Sequence, residues 1–497
     1  WGFFIQHETC RHRDMSDNLK KKTLTALIWS FVDKFGQQFL YFVTGIILAI
    51  PLNPVDLGKM ALLAVFVALS SILIDSGFGS ALIRKKEATD ADYSTIFYFN
   101  IGVSLIFYLI LFALAPFIES YSGVPGLAAV ARVSFLSIVF LAFGMIQQTR
   151  LIKYIQFTQL ARINIISLFC SSVFAVITAF MGWGVWALVI QSLGMAIVKS
   201  VLLWIYGRWR PKWIFRVASM KEFFGYSSSL IGTGVLNTIF NNIYPWLIGK
   251  GYSTQAVGYY NQANKFQDMP SALIANIFRS VAFPVLSSIN DDRERMIRVF
   301  GKYIRTVSFI IFPIMFLLML VSQPLISILL PEKWAPSIPL MQVLCISGAF
   351  SPFIILYYDL FNAVGRSDIN LKMEIFKKIF FIIGILVCFK YSIMALMWLW
   401  VVYTLCSLIA TMFLAHKYVN YTMGSFFFDI FPCLSISLVI AAMSSLYYLV
   451  FQDRWLLLVT ISGTFGLLYI IAARLFRLEM WHECLQLFKK KVLTNGK

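Results

Sequence analysis

Fourteen apolar runs, each long enough to cross a bilayer, follow one another along the chain, and they constrain the fold more than any other feature. They lie at about 24–50, 57–82, 95–117, 127–149, 160–181, 184–206, 222–249, 262–289, 304–330, 336–363, 374–389, 392–416, 426–451 and 455–476. A helix rises 1.5 Å per residue, so roughly 20 residues bridge a hydrocarbon core of about 30 Å. Lipid offers no hydrogen bonds, so each run must satisfy its own backbone and fold as a helix. Of the 497 residues, 59% are hydrophobic and 13% charged, and the mean hydropathy is +0.78. The expected fold class is an all-α polytopic membrane protein with about 14 transmembrane helices.

The net charge of +19 could suggest nucleic acid, but the basic residues sit in short loops between apolar runs. No nucleic-acid partner is therefore expected. Lys20–Lys22, Arg84–Lys86, Arg150 and Lys153, Gly207–Arg216, Arg293–Arg305, Arg366–Lys378 and Lys489–Lys491 fall on one side, and only Lys250, Lys333, Lys390 and Arg454 on the other. By the positive-inside rule both termini are cytoplasmic. Residues 1–22 read as a cytoplasmic tail, with Met15 as the natural start and 1–14 as upstream sequence. Residues 23–206 form a first lobe of six helices, and 222–416 a second. Between them, 207–221 interleaves Trp209, Trp213, Ile214 and Phe215 with Arg208, Arg210, Lys212 and Arg216, as an amphipathic linker on an anionic leaflet would. Residues 417–476 add two helices, and 477–497 a basic cytoplasmic tail. A faint repeat relates the lobes: Leu52–Gly58 and Tyr252–Gly258 are both polar turns closing on a glycine that opens the next helix. Two six-helix lobes with pseudo-twofold symmetry, and a site between them, are a common transporter plan.

Enzyme chemistry finds little support. The seven Cys are scattered without a CxxC pair, the four His lie near helix ends or in tails, and no GxxxxGK phosphate loop occurs. No catalytic residue, metal site or cofactor is expected.

The most telling stretch is Asn264–Arg298, where Arg279 interrupts a run that Pro270 and Pro284 bracket and Asp291–Arg295 terminates. An arginine near the centre of a membrane helix costs roughly 2.5–3.5 kcal/mol on insertion scales, so it should face water or a fixed anion. The prolines favour a bend. Arg279 is the leading candidate for a substrate phosphate, because its fork binds such anions bidentately. A structural ion pair is the competing reading. Arg132 and Lys199 are further candidates, with Arg132 equally able to snorkel to the outer interface.

Two polar stripes run at helical spacing. Ser30, Asp33, Gln37, Tyr41 and Thr44 mark the first span, and Ser229, Thr233, Asn237, Asn241 and Tyr244 the seventh. They either bond helix to helix or line a wet cavity for sugar hydroxyls. Lys34 and Asp75 lie at similar depth, so Lys34–Asp75 or Asp33–Lys34 could pair and hold an inner gate. Asp359 is a candidate carboxylate for H+ or Na+ coupling.

Three segments, Asp75–Ser94 (DSGFGSALIRKKEATDADYS), Phe283–Arg295 (FPVLSSINDDRER) and Gly365–Lys378 (GRSDINLKMEIFKK), resemble the Wzx-like polysaccharide flippases of the colanic- and teichuronic-acid exporter type. These belong to the multidrug/oligosaccharidyl-lipid/polysaccharide exporter superfamily. The resemblance covers nearly everything from Met15 onward. It implies two six-helix bundles plus two helices, alternating access, and undecaprenyl-diphosphate-linked oligosaccharide as substrate. It also implies the bacterial inner membrane as location, with membrane lipids and polysaccharide polymerase or export proteins as partners. One departure stands out: the chain has Leu48-Ala49-Ile50-Pro51 where the family usually places an arginine, so that residue's role does not carry over. An ion-coupled drug exporter of the same superfamily is the alternative, and a glycan polymerase or ligase the third reading. The latter needs a large outer catalytic loop, and every outer loop here is short.

Overall fold

A computed structural model describes residue 29 and residues 32–75, 78–85 and 87–481. Within the helices, the side chains of 73, 75, 84, 217–231, 233, 241, 280, 281 and 367 lie outside the described set. The described chain is helical, without a β-strand. It runs α1 (32–49), α2 (Pro54–Asp75), α3 (Phe78–Arg84), α4 (Asp90–Ser122), α5 (Leu127–Lys153), α6 (Phe157–Phe180), α7 (Val185–Tyr206) and α8 (Val217–Gly251). There follow α9 (Thr254–Ser288), α10 (Arg293–Leu320), α11 (Ser322–Leu329), α12 (Ser337–Ala363), α13 (Ser367–Cys388), α14 (Ile393–Val419), α15 (Met423–Ser445), α16 (Tyr447–Val450) and α17 (Arg454–Leu475). Each of the fourteen expected spans is represented by a helix, the first described from residue 32 onward. Eleven helical segments among the described residues are long and apolar enough to cross a membrane.

Several helices run well past the apolar run that announced them. The α4 helix starts at Asp90 because Thr89 and Asp92 form a reciprocal capping box, and α10 starts at Arg293 because the Asp292 side chain accepts from the Arg295 N–H. Such caps end a helix where its backbone donors are satisfied, which need not be where the lipid stops. The ninth span divides into α10 and α11, while in the second α2 and α3 lie either side of residues 76–77, which are outside the described set. Through Pro270 and Pro284, α9 remains one helix.

The chain divides into two compact units, Trp1–Gly258 and Tyr259–Lys497, so the division falls inside α9. In the first unit, α4 packs on α5, α5 on α7 and α7 on α6, and α8 lies along α2 and touches α3 and α4. Trp246 Nε1 of α8 donates to the Leu62 carbonyl of α2 at 2.8 Å, and the Lys250 ammonium donates to the Tyr121 carbonyl of α4 at 2.9 Å. In the second unit, α10, α12, α14 and α15 share a core that includes Phe300, Phe312, Phe353, Tyr357, Tyr421 and Phe426. Burying such rings offsets the loss of side-chain freedom.

The 207–216 segment is irregular, neither helix nor strand, with a tight turn at 212–214. Trp209 is drawn inward, 6% exposed, against Tyr93 and Phe97, while Trp213 is 94% exposed. The Ser94 and Thr95 hydroxyls accept from the Lys212 and Arg216 backbone N–H groups at 3.0 Å, which ties the segment to α4.

Candidate functional site

Arg279 and Asp359 come together in the second unit. The Arg279 Nε lies 3.7 Å from Asp359 Oδ1, joining α9 to α12. Eight residues earlier on each helix, the Ser271 hydroxyl contacts the Ser351 hydroxyl at 2.9 Å and donates to the Gly348 carbonyl at 3.1 Å. The two helices therefore run parallel and in register here, and Gly348 lets them approach, since a Cβ there would overlap the Gln267 side chain. The pair is lopsided. The Asp359 side chain is 4% exposed and its Oδ2 accepts no hydrogen bond among the described residues, whereas the Arg279 side chain is 63% exposed. Asp359 thus holds one edge of the guanidinium and leaves the rest open. The sequence singled out both residues without joining them. Their pairing is legible only once α9 and α12 are seen to be parallel.

The polar stripe of α1 is turned toward α6 and α7. Asn164 Nδ2 donates to both Asp33 oxygens at 3.2 and 3.1 Å, and Gln37 Nε2 donates to Asp33 at 2.7 Å. The Tyr41 hydroxyl meets Met195 Sδ at 2.8 Å, and Thr44 is buried. Lys199 of α7 is near enough for Asp33 to act on it electrostatically. The amides of Asn164 and Gln37 thus hold the Asp33 carboxylate and Lys34 is exposed, while the alternative Lys34–Asp75 pair rests on a side chain outside the described residues. The side chains of Asp75, Ser229, Thr233 and Asn241, and residue Ser30, lie outside the described residues. Asn237 is exposed and Tyr244 buried on α8. Arg132 does not join these groups. It lies 4.5 Å over the Phe112 ring, and its Nε donates to the Phe112 carbonyl of α4 at 3.4 Å.

Two clusters escaped the sequence reading. Arg305 Nη1 donates to Asp429 at 2.9 Å, and the Tyr421 hydroxyl donates to the other Asp429 oxygen at 2.7 Å, fastening α15 to α10. On α13, Lys377 Nζ donates to Glu374 at 2.8 Å and to the Tyr358 hydroxyl of α12 at 3.0 Å, and that hydroxyl donates to Glu374 at 2.9 Å. Both join residues far apart in sequence or on different helices, which no local pattern announces. Among the described residues, no His, Cys, Asp and Glu cluster could hold a metal ion.

The architecture is that of an all-α polytopic membrane protein. It matches the solved lipid II flippase MurJ in an inward closed conformation, with a TM-score of 0.76 at 15% identity over 91% of this chain and 99% of that one. It also matches an inward-facing multidrug resistance MATE family transporter of the MOP superfamily, with a TM-score of 0.60 at 16% identity over 80% and 95% of the two chains. Residues 47–339 match the polysaccharide biosynthesis protein family, and the chain belongs to it. Relatives include the teichuronic acid biosynthesis protein TuaB of Bacillus subtilis, 28% identical over 60% of this chain. That match spans 62% of the relative's own length. The lipopolysaccharide biosynthesis protein WzxC of Escherichia coli is 25% identical over 74% of this chain and 76% of its own. The succinoglycan biosynthesis transport protein ExoT of Rhizobium meliloti is 26% identical over 68% and 69%.

Proposed function

We infer that this protein is a flippase for lipid-linked oligosaccharides, carrying undecaprenyl-diphosphate-linked repeat units from the cytoplasmic to the outer leaflet of a bacterial inner membrane by alternating access. Both termini are cytoplasmic in this reading, following the distribution of Lys and Arg. The observation that carries it is the half-tethered Arg279, a fixed cation in a membrane helix with most of its guanidinium open. A diphosphate needs such a charge where water cannot supply one. The transport and biosynthesis roles named for ExoT, TuaB and WzxC support the same reading.

When the diphosphate engages Arg279, the guanidinium leaves Asp359, whose buried carboxylate then needs a proton or Na+ to replace it. That exchange would couple flipping to an ion gradient. Lys199, Asp33, Gln37, Tyr41, Asn237, Asn241 and Tyr244 are assigned to glycan contact or gating, and polysaccharide polymerase or export proteins to the partners that receive the product. The MATE-like fold keeps a drug exporter as the second reading. A reconstituted assay separates them: defined lipid-linked oligosaccharide should flip in vesicles containing the protein, and organic drug cations should not accumulate. Drug uptake without glycan flipping would replace the first reading with the second.

A further inference from the structure

A cavity of about 660 Å³ opens in the first unit where α5 ends and the 207–209 segment leaves α7, a volume typical of small-molecule sites. Gln147, Arg150, Tyr154, Gln159, Arg208 and Trp209 line it, and among the described residues no Asp or Glu does. At its centre Arg150 has the rings of Tyr93, Tyr154 and Trp209 around it, at 5.3, 5.8 and 5.9 Å. Its Nη1 is shielded from solvent and makes no hydrogen bond among the described residues. The acids of the neighbouring α4 are already engaged. Lys212 holds Asp90 at 2.8 Å, which acts on Arg150 only through space, and Lys85 holds Asp92 at 3.3 Å. A guanidinium sunk among rings without an acid of its own is costly unless an anion completes it.

The rest of the wall narrows the anion's chemistry. Gln147, 1% exposed, spends its Nε2 on the Trp209 carbonyl at 2.8 Å and leaves Oε1 unpaired among the described residues. Gln159 Oε1 is likewise buried and unpaired. These two acceptors call for donors, which a bare phosphate lacks and a hydroxyl supplies. Ile155, at the rim between α5 and α6, holds φ at 58°, a conformation that a β-branched residue keeps only where its surroundings impose it.

We propose that this cavity binds a phosphate ester carrying free hydroxyls, with the phosphate on Arg150 and Arg208 and hydroxyls on Gln147 and Gln159. The headgroup of an anionic phospholipid and a soluble polyol or sugar phosphate share that chemistry. The site is independent of the flippase reading, since it involves neither Arg279 nor Asp359. The test uses the full chain in phosphatidylcholine nanodiscs. Short-chain phosphatidylglycerol is titrated by native mass spectrometry, and glycerol 1-phosphate and inorganic phosphate by calorimetry. Saturable binding of phosphatidylglycerol identifies the lipid source, and of glycerol 1-phosphate the soluble one. Arg150→Gln should weaken either at least tenfold and Gln159→Leu at least threefold, with thermal stability retained. Should Arg150→Gln fail to fold, Gln159→Leu and Arg208→Gln decide. Absence of saturable binding, or binding unchanged in the folded variants, overturns the site. Inorganic phosphate binding as tightly as the esters overturns the hydroxyl contacts.

Discussion

Gly258 lies so close to Pro54 that a Cβ on it would overlap the Pro54 carbonyl, and Gly58 stands in the same relation to the Thr254 carbonyl. The two helix starts cross glycine against backbone, each one turn inside its helix. Their turns are closed by opposite halves of a capping box: the Asn53 N–H donates to the Asp56 side chain, and the Ala256 N–H to the Ser253 hydroxyl, both at 3.0 Å. This contact lies at the end of α8 away from the 207–216 segment, so in the proposed topology it closes the outer side. Gly258→Ala pushes a methyl into a backbone that cannot yield as a side chain would, at about 1–3 kcal/mol or more. The expected result is near-normal membrane abundance, at least tenfold slower flipping, and faster labelling of a cysteine at Asn237 by an impermeant reagent from outside. Wild-type flipping by Gly258→Ala would show that the close approach is not needed for transport.

Orientation is tested most simply at Trp213, which is 94% exposed and therefore open to reagent in a folded protein. In a cysteine-free background, Trp213→Cys should react with an impermeant maleimide only in inverted vesicles. Reaction in intact cells would reverse the topology, and with it the direction of flipping assigned here.

Asp429, itself buried, holds Arg305 and Tyr421, and the exposed Glu479 also reaches Arg305 Nε at 3.1 Å. Removing one member of such a set costs roughly 3–5 kcal/mol when all are buried; with Arg305 about one-third exposed, about 2–3 kcal/mol is expected for Asp429→Ala. Asp429→Asn keeps the volume and one acceptor and should lose about half as much. Thermal unfolding in detergent and membrane abundance read both. Equal stability of Asp429→Ala and the parent would mean that α15 is fastened by packing alone.

Helix number and order were readable because lipid forces every span to be an apolar helix, a demand written in consecutive residues. Caps such as Thr89 and Asp292 are equally local, yet they carried α4 and α10 beyond the apolar runs, where hydropathy has nothing to say. Arg279 and Asp359 stood out individually because a charge in an apolar run is conspicuous. Which acid meets which base depends on how helices pack. Asp33 shows the limit: adjacency suggested Lys34, but consecutive residues point to different faces of a helix, and α6 supplied Asn164 instead. The Arg150 cavity was invisible for a similar reason, since its residues read as ordinary interfacial basic and aromatic side chains until α5 and the 207–209 segment are brought together.

A double-mutant cycle on Arg279 and Asp359 decides what the pair is for. Were it only a strut, either single change would leave a group unpaired. Arg279→Ala would then lose about 1–2 kcal/mol, discounted because the arginine is largely exposed, and the double variant Arg279→Ala/Asp359→Asn would recover both abundance and export. In the flippase reading the double variant recovers abundance but stays unable to export, because nothing binds the diphosphate. Arg279→Lys should keep part of the activity, as a point charge without the bidentate fork. Asp359→Asn leaves Arg279 in place, so it should still flip substrate but lose its dependence on an imposed H+ or Na+ gradient. Membrane abundance, thermal stability, surface polysaccharide in a deletion strain and gradient-dependent flipping in vesicles together read the cycle. Normal export by Arg279→Ala would remove the arginine from the substrate path, and gradient dependence surviving in Asp359→Asn would move the coupling site elsewhere.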